Sequence, residues 1–512
     1  MNYFIGVDVG TTSTKAVLYD EHAKVLDHFS EGYSLYRDAS GMAEQDPEAM
    51  LNAVEKVIHD AGTKIDFANE KLLAVSFSSA NQSVIMLDHH FCPLSRVITW
   101  ADTRARTVAD QLKRSPEGQQ LYAKTGTPIH PMSPLTKIMW LNQAHPETVA
   151  KTTYFGDIKS YLFYKFFGSF KVDISIASCT GMMNINTGNW DSQALTLAKV
   201  KANQLPTIVN GTSQAVGLTD EAQSKLGIPA DTPFVYGAFD GALSNLGVGA
   251  IKQNTVAITI GTSAGVRVVT DHPVIDPQQR LFCYAVDNGL WVIGGPLNNG
   301  GDVYQWAVEH LVDASAVKNE QVDPYTLANH VIEGVPAGAH GLLFHPFLGG
   351  ERAPLWDANA RGSFFGLSQL HTRADMLRSV MEGICMNIAT VFQAVRDLVG
   401  EPSSVTATGG FARAEVWRQM LADVLNCPVN IPNSFESGCL GAVTMAMKSL
   451  GIVDSLDVVQ DLIGDISSHQ PRASAVHVYQ QYLPLFQQVE GLLTPAYSTI
   501  AMLQQQSSHK EG

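Results

Sequence analysis

Apolar positions near the start of the chain alternate, then run together on both sides of one polar turn. In "YFIGVDVGTTSTKAVLYD", residues 3–20, the turn Gly10-Thr11-Thr12-Ser13 separates the two runs, a pattern that predicts a β-hairpin. Asp46-Pro47-Glu48 then opens a helix, with Asp46 as N-cap, Pro47 in the first turn, and Met50, Leu51, Val54, Val57 and Ile58 on one face. Strand-like runs follow at 72–77 and 84–87. Sheet and helix alternate, so the fold class is α/β.

The opening pattern returns about half a chain later. "NTVAITIGTSAGVRVVT", residues 254–270, again sets a strand, a Gly-Thr-Ser turn and a second strand. Two copies of one hairpin at this separation imply duplication of a whole domain, with a boundary near 245–255. Further on, "SVTATGG" at 404–410 reads as a strand ending in Gly409-Gly410, and 413–425 as the helix after it. A long helix is expected over 373–399, stopping at Gly400, and the tail is expected to fray from about 503.

Composition narrows the partners. The 512 residues are 45% hydrophobic and 16% charged, ordinary for a globular chain of several domains. A formal charge of −15 excludes the broad basic surface that nucleic acid or an anionic membrane would need. Anionic ligands must then be held locally, by backbone N–H groups, a metal ion and a few placed cations. The apolar run 161–168 is broken by Lys165, and no window approaches the length of a membrane span. Six dispersed cysteines without a CxxC pair fit reduced thiols. The expectation is a cytoplasmic protein.

A turn rich in Gly, Thr and Ser can aim several N–H groups and hydroxyls at one phosphate, or it can simply reverse the chain. The second copy at 254–270 favours phosphate. No GxxxxGK[ST] loop, protein-kinase HRD or DFG set, or GxGxxG fingerprint is present. The copies differ: Asp8 stands two residues before Gly10, and Thr259 holds the matching place before Gly261. A carboxylate beside polyphosphate needs Mg²⁺ between them, so Asp8 is a candidate metal-side ligand, through water. The alternative is an Asp that bonds its own turn. Asp240, after the apolar run 234–236 and among small residues, is either a base that accepts a hydroxyl proton or a helix N-cap. Ser78, Ser79, Asn81 and Gln82, with Trp100, Asp102 and Arg104, could line a polyol site.

Taken together these stretches resemble the FGGY carbohydrate kinases. The matching pieces are "GVDVGTTSTKAVLYD" (6–20), "TWADTR" (99–104), "GAFDGALSNLG" (237–247), "ITIGTSAGVR" (258–267), "GGPLNNGGDVYQW" (294–306), "FHPFLGGERAPLWD" (344–357) and "ATGGFARAEVWRQMLAD" (407–423). The resemblance implies two ribonuclease H-like lobes of the actin and hexokinase type with an interdomain cleft. Residues 1–248 would be the sugar-binding lobe and 249–512 the nucleotide-binding lobe. It implies ATP and Mg²⁺ as cofactors and Asp240 as general base. Gly10, Thr11, Thr12, Ser13, Lys15, Gly261, Thr262, Gly301, Gln305, Gly409, Gly410 and Arg413 would lie about the nucleotide, and Asp8 with Asp240 on the metal side.

The stretches 125–140, 177–191 and 293–301 are most similar to the gluconokinase branch. A sugar acid brings a carboxylate, for which Lys159, His130 and Arg104 are the candidate cations or donors. One departure stands out: relatives usually carry Met-His where this chain has Asn81-Gln82, and Gln82 can hydrogen-bond a hydroxyl but cannot titrate. The expected activity is ATP-dependent phosphorylation of D-gluconate. The alternatives are a kinase for xylulose, glycerol or another polyol, and a non-enzymatic actin-like nucleotide switch. The family admits a homodimer.

Overall fold

The central strands in this chain form where apolar residues line both faces of a buried sheet, and helices cover those faces. The computed structural model describes residues 1–252, 254–312, 322–432, 437–464 and 466–508. It divides into two units, one of Met1–Ile251, Val269–Ile293 and Glu436–Ile463, the other of Lys252–Val268, Gly294–Phe435 and Gly464–Gly512.

In the first unit the opening hairpin is β1 (Asn2–Val9) and β2 (Ser13–Asp20), followed by β3 (Val25–Gly32), β4 (Lys71–Ser79), β5 (Gln214–Ala215) and β6 (Phe234–Phe239). They form one sheet in the order β5-β6-β4-β1-β2-β3. The strands β1, β4 and β6 run parallel, so their carboxyl ends share one edge. Helix Pro47–Gly62 packs the predicted Met50, Leu51, Val54, Val57 and Ile58 against Ile5, Val7, Leu18 and Phe77. Each such side chain contributes roughly 1.5–3 kcal/mol on full burial. The Asp46 carboxylate accepts from the N–H groups of Glu48 and Ala49 at 2.9 and 3.3 Å, as an N-cap should. Helix Ser437–Ser449 packs against the same sheet so closely that a Cβ at Gly6 would lie 2.6 Å from the Cys439 carbonyl oxygen.

The second unit repeats the plan. The hairpin β7 (Thr255–Ile260) and β8 (Ala264–Thr270) is joined by β9 (Leu290–Leu297), β10 (Ser404–Thr408), β11 (Val429–Pro432) and β12 (Ile466–His469). Their order is β9-β8-β7-β10-β11-β12. Here β7 is antiparallel to β8 and parallel to β10, as β1 is to β2 and β4. Helix Arg373–Val399 starts from a Thr372–Asp375 capping box and stops at Gly400, whose φ is +87°.

Three local expectations change. The helix expected from 413 begins at Glu415, because Gly409 at φ +112° turns the chain into a 3-10 turn, Gly410–Arg413, first. The strand expected over 84–87 narrows to Ile85–Leu87. The tail expected to fray from 503 is helical over Tyr497–Ser508, and 509–512 lie outside the described residues. Among the described residues no helix is long and apolar enough to cross a membrane, and all six cysteines are free thiols.

Candidate active site

Two acids leave the carboxyl edge of the first sheet, where ligands of open α/β folds bind. Asp8 pairs in register with Ser78 of β4, and β6 ends at Phe239, paired with Ser79. Asp8 and Asp240 therefore flank β4, about 10 Å apart by ordinary strand spacing. Burial pushes the Asp8 carboxyl up; the Ser78 hydroxyl, donating to Oδ1 at 2.6 Å, and the charges of Lys15 and Lys159 pull it back. Lys15 lies directly across the hairpin from Asp8 and is exposed.

Asp240 is not the N-cap that one reading allowed. Phe239 holds that place, Asp240 is the first residue of helix Asp240–Gly247, and its Oδ1 accepts the adjoining Gly241 N–H at 2.6 Å. The half-buried carboxyl is thus not used as a cap.

Neighbouring groups hold the turn after β1. Gly10 N–H donates to the Ser13 carbonyl at 3.0 Å, and the Gly10 carbonyl accepts the Tyr33 hydroxyl at 2.6 Å. Tyr33 N–H donates to the Thr12 carbonyl, the Gln45 amide to that of Thr11, and the Trp100 indole to Thr11 Oγ1 at 3.0 Å. Trp100, expected to offer an apolar face to a sugar, is tied through its indole N–H to the turn after β1.

The candidates for the sugar carboxylate are placed differently from one another. Lys159 is fully buried, and its ammonium donates to Asp173 at 2.8 Å and to the carbonyls of Tyr236 and Ala238 at 2.9 and 3.2 Å. As a direct contact for a substrate carboxylate it is corrected: helix Ile158–Phe167 carries it inside, where it steadies the end of β6 before Asp240. Arg104 pairs with Asp102 at 2.7 Å and Glu44 at 2.5 Å and lies over the Trp140 ring. Asp102 is buried and also accepts the Ala43 N–H. His130 is buried, and its Nδ1 accepts the Met132 N–H at 3.2 Å. Ser79 turns to the Ala80 carbonyl, and Asn81 donates to the Cys179 sulfur at 3.2 Å.

Gln82 sits at φ +61°, buried, its amide donating to the Tyr284 hydroxyl at 3.1 Å. Sequence reasoning missed the group behind it. The fully buried Lys137 ammonium donates to the carbonyls of Gln82 and Met132 at 2.6 and 2.7 Å, and burial lowers its pKa to about 7. A lysine on the apolar face of "PLTKIMWL" was the available signal.

Within the second unit a cavity of about 640 Å³ gathers six of the expected residues: Gly261, Thr262, Gly301, Gln305, Gly410 and Arg413. The lining also includes Tyr304, Tyr325 and Trp417, Tyr304 meeting Trp417 edge-on at 5.0 Å. The Gly261 and Thr262 carbonyls accept the N–H groups of Gly301 and Asp302 at 2.7 and 3.2 Å, so the start of helix Gly301–Leu311 grips the hairpin turn. A Cβ at Gly301 would sit 2.7 Å from the Gly261 carbonyl oxygen, and one at Gly409 would sit 2.2 Å from that of Ile260. A Cβ at Gly410 would meet nothing within 4 Å, so the wall is open there.

Aromatic rings, a Gly-Thr turn and the exposed Arg413 in one lining fit a nucleotide with its phosphates, and the volume is that of a ligand pocket. No cluster of three or more metal-ligating side chains occurs among the described residues. Mg²⁺ is commonly bound by one or two carboxylates with water and substrate phosphates. Asp8, with Oδ1 taken by Ser78, fits that mode.

Comparison with known proteins agrees with this geometry. The model of the FGGY family of carbohydrate kinases, N-terminal domain, matches residues 3–247, and that of the C-terminal domain matches 256–450. A gluconokinase from Bacillus licheniformis is 43% identical over 513 residues, covering 100% of both chains. A solved gluconate kinase from Lactobacillus acidophilus superposes with a TM-score of 0.93 at 37% identity, over 98% of this chain and 99% of that one. A ligand-bound xylulose kinase from the same organism gives the same TM-score and identity, over 98% and 100%. The two-lobed actin and hexokinase-type fold, the duplicated hairpins and these full-length matches agree: the chain belongs to the FGGY family of carbohydrate kinases.

Proposed function

We propose that this protein transfers the γ-phosphoryl group of ATP to the terminal 6-hydroxyl of D-gluconate, giving 6-phospho-D-gluconate and ADP. The observation that carries the reading is Asp240 at the carboxyl edge of the first sheet, beside Asp8, with a carboxylate not used as a cap. The full-length likeness to a gluconokinase supports the sugar.

On this reading residues 1–248 serve the sugar and 249–512 the nucleotide. The Asp240 carboxylate accepts the hydroxyl proton as the oxygen attacks the γ-phosphorus, and the bond to the β,γ-bridging oxygen breaks to release ADP. Lys159 acts at one remove by fixing the carbonyls that precede Asp240. The turns at 10–13 and 261–262, with Arg413, hold phosphate oxygens. Mg²⁺, held on the Asp8 side through water, would supply charge neutralisation at the phosphoryl group. The free thiols support a reducing, cytoplasmic setting, and a homodimer is the assembly to test by light scattering.

Asp240→Asn tests the base. The expected result is a kcat lower by about 10²–10⁴ with the KM for ATP little changed; a rate near wild type rejects the assignment. The second reading, a ketose kinase, draws on the xylulose kinase of equal structural similarity and on the uncharged Gln82. A panel of gluconate, xylulose and glycerol with coupled ADP detection separates the two. Xylulose turnover without gluconate turnover selects the second.

A further inference from the structure

The motif "GGERAP" at 349–354 lies in the second unit, and the proposed chemistry does not use it. Its Glu351 is fully buried. Oε1 accepts the backbone N–H groups of Asn298 and Arg352 at 2.6 and 2.7 Å, and Oε2 accepts the side-chain amides of Asn299 and Asn387 at 2.9 and 2.7 Å. All four partners are donors, so a proton on either oxygen would face a donor rather than an acceptor. Burial pushes the carboxyl up, and the four donors oppose it.

The two residues it holds, Asn298 and Asn299, begin the loop that ends at Gly300 and Gly301. A Cβ at Gly300 would lie 2.7 Å from the Ser263 carbonyl carbon, and Gly301 donates its N–H to Gly261. A continuous set of contacts therefore runs from the Glu351 carboxylate through residues 298–301 to the turn that lines the cavity.

We infer that Glu351 is a positioning residue for the nucleotide site, fixing the loop 298–301 against the Gly261-Thr262 turn that holds phosphate. This rests on the proposed binding of ATP in that cavity. Glu351→Gln keeps the volume but turns an N–H₂ toward one pair of donors, so the loop loses its anchor. The partner variant is Asn387→Leu, whose amide N–H donates to Glu351 and whose amide oxygen makes no hydrogen bond to the loop.

The test measures KM for ATP and for gluconate, and ADP affinity by titration calorimetry, on the full-length protein. Expected for Glu351→Gln is at least about a tenfold rise in ATP KM and ADP Kd, with gluconate KM within about twofold; Asn387→Leu should give about a threefold rise in the nucleotide constants alone. Nucleotide constants within twofold of wild type, or equal losses for both substrates, overturn the inference. If Glu351→Gln does not fold, Asn387→Leu decides by the same criterion. Arg413→Ala keeps the two failures apart. If it weakens ADP binding and the Glu351 variant does not, the positioning role fails alone; if neither wild type nor Arg413→Ala binds ADP in a way the cavity explains, the nucleotide reading fails and the inference with it.

Discussion

The two hairpins share one sheet topology and differ at three matched places. In the first, Asp8 faces Lys15 across the turn and Ser78 on the parallel neighbour; in the second, Thr259 faces Gly265 and Thr408. A charged cross-strand pair beside a hydroxyl has become a small neutral set. The supports differ too: side chains from Tyr33, Gln45 and Trp100 hold the first turn, and the backbone start of a helix holds the second. Duplication supplied the scaffold twice. Charge on the first copy and open space on the second are what the two proposed roles, a metal-side carboxylate and a nucleotide cavity, rest on.

Both units bury charge. The second encloses an Arg378–Glu382 ion pair and places Glu490 near Glu351, and the first encloses a Lys159–Asp173 ion pair at the end of the strand before Asp240. Breaking the pair has the largest expected effect. Lys159→Met leaves Asp173 buried without its cation and should cost about 3–5 kcal/mol of stability, measured by urea unfolding.

Next is Glu490, whose pKa burial and the Glu351 charge push up to about 7 from 4.5. The folded state keeps this proton where the unfolded chain releases it, so stability falls as pH rises from about 4.5 to about 7 and is flat above. Glu490→Gln should therefore exceed wild type by roughly 3 kcal/mol at pH 8.5 and by less than half of that at pH 5.5. An equal gap at both pH values would show that the gain is not the proton's.

Asp8→Asn probes the asymmetry of the hairpins directly. It should lower kcat by about 10²-fold and leave the ADP affinity of the second unit within twofold; a large loss of ADP binding would merge the two roles. The reciprocal change, Thr259→Asp, adds a carboxylate beside the cavity turn and should raise ATP KM about tenfold through repulsion, an effect that added salt reduces. If it raises activity instead, the second hairpin can also serve a metal.

Much of this was legible in the residue pattern. Alternating apolar runs around Gly-Thr turns marked both hairpins, and Asp46-Pro47 marked a helix start, because strand pairing and capping are local. The same pattern set Asp8 apart from Thr259. Lys159 was misread as a substrate cation because its partners, Asp173 and the carbonyls of Tyr236 and Ala238, come from other elements. Glu351 carried no role for the same reason: its donors lie at 298, 299 and 387.

The sequence by itself determined the α/β class, the repeat and the family, since periodicity and short motifs encode them within a few residues. Only the tertiary structure decided which charges are free to meet a ligand. Burying a charge is costly unless a partner meets it, and that partner is chosen by packing between elements distant in the chain.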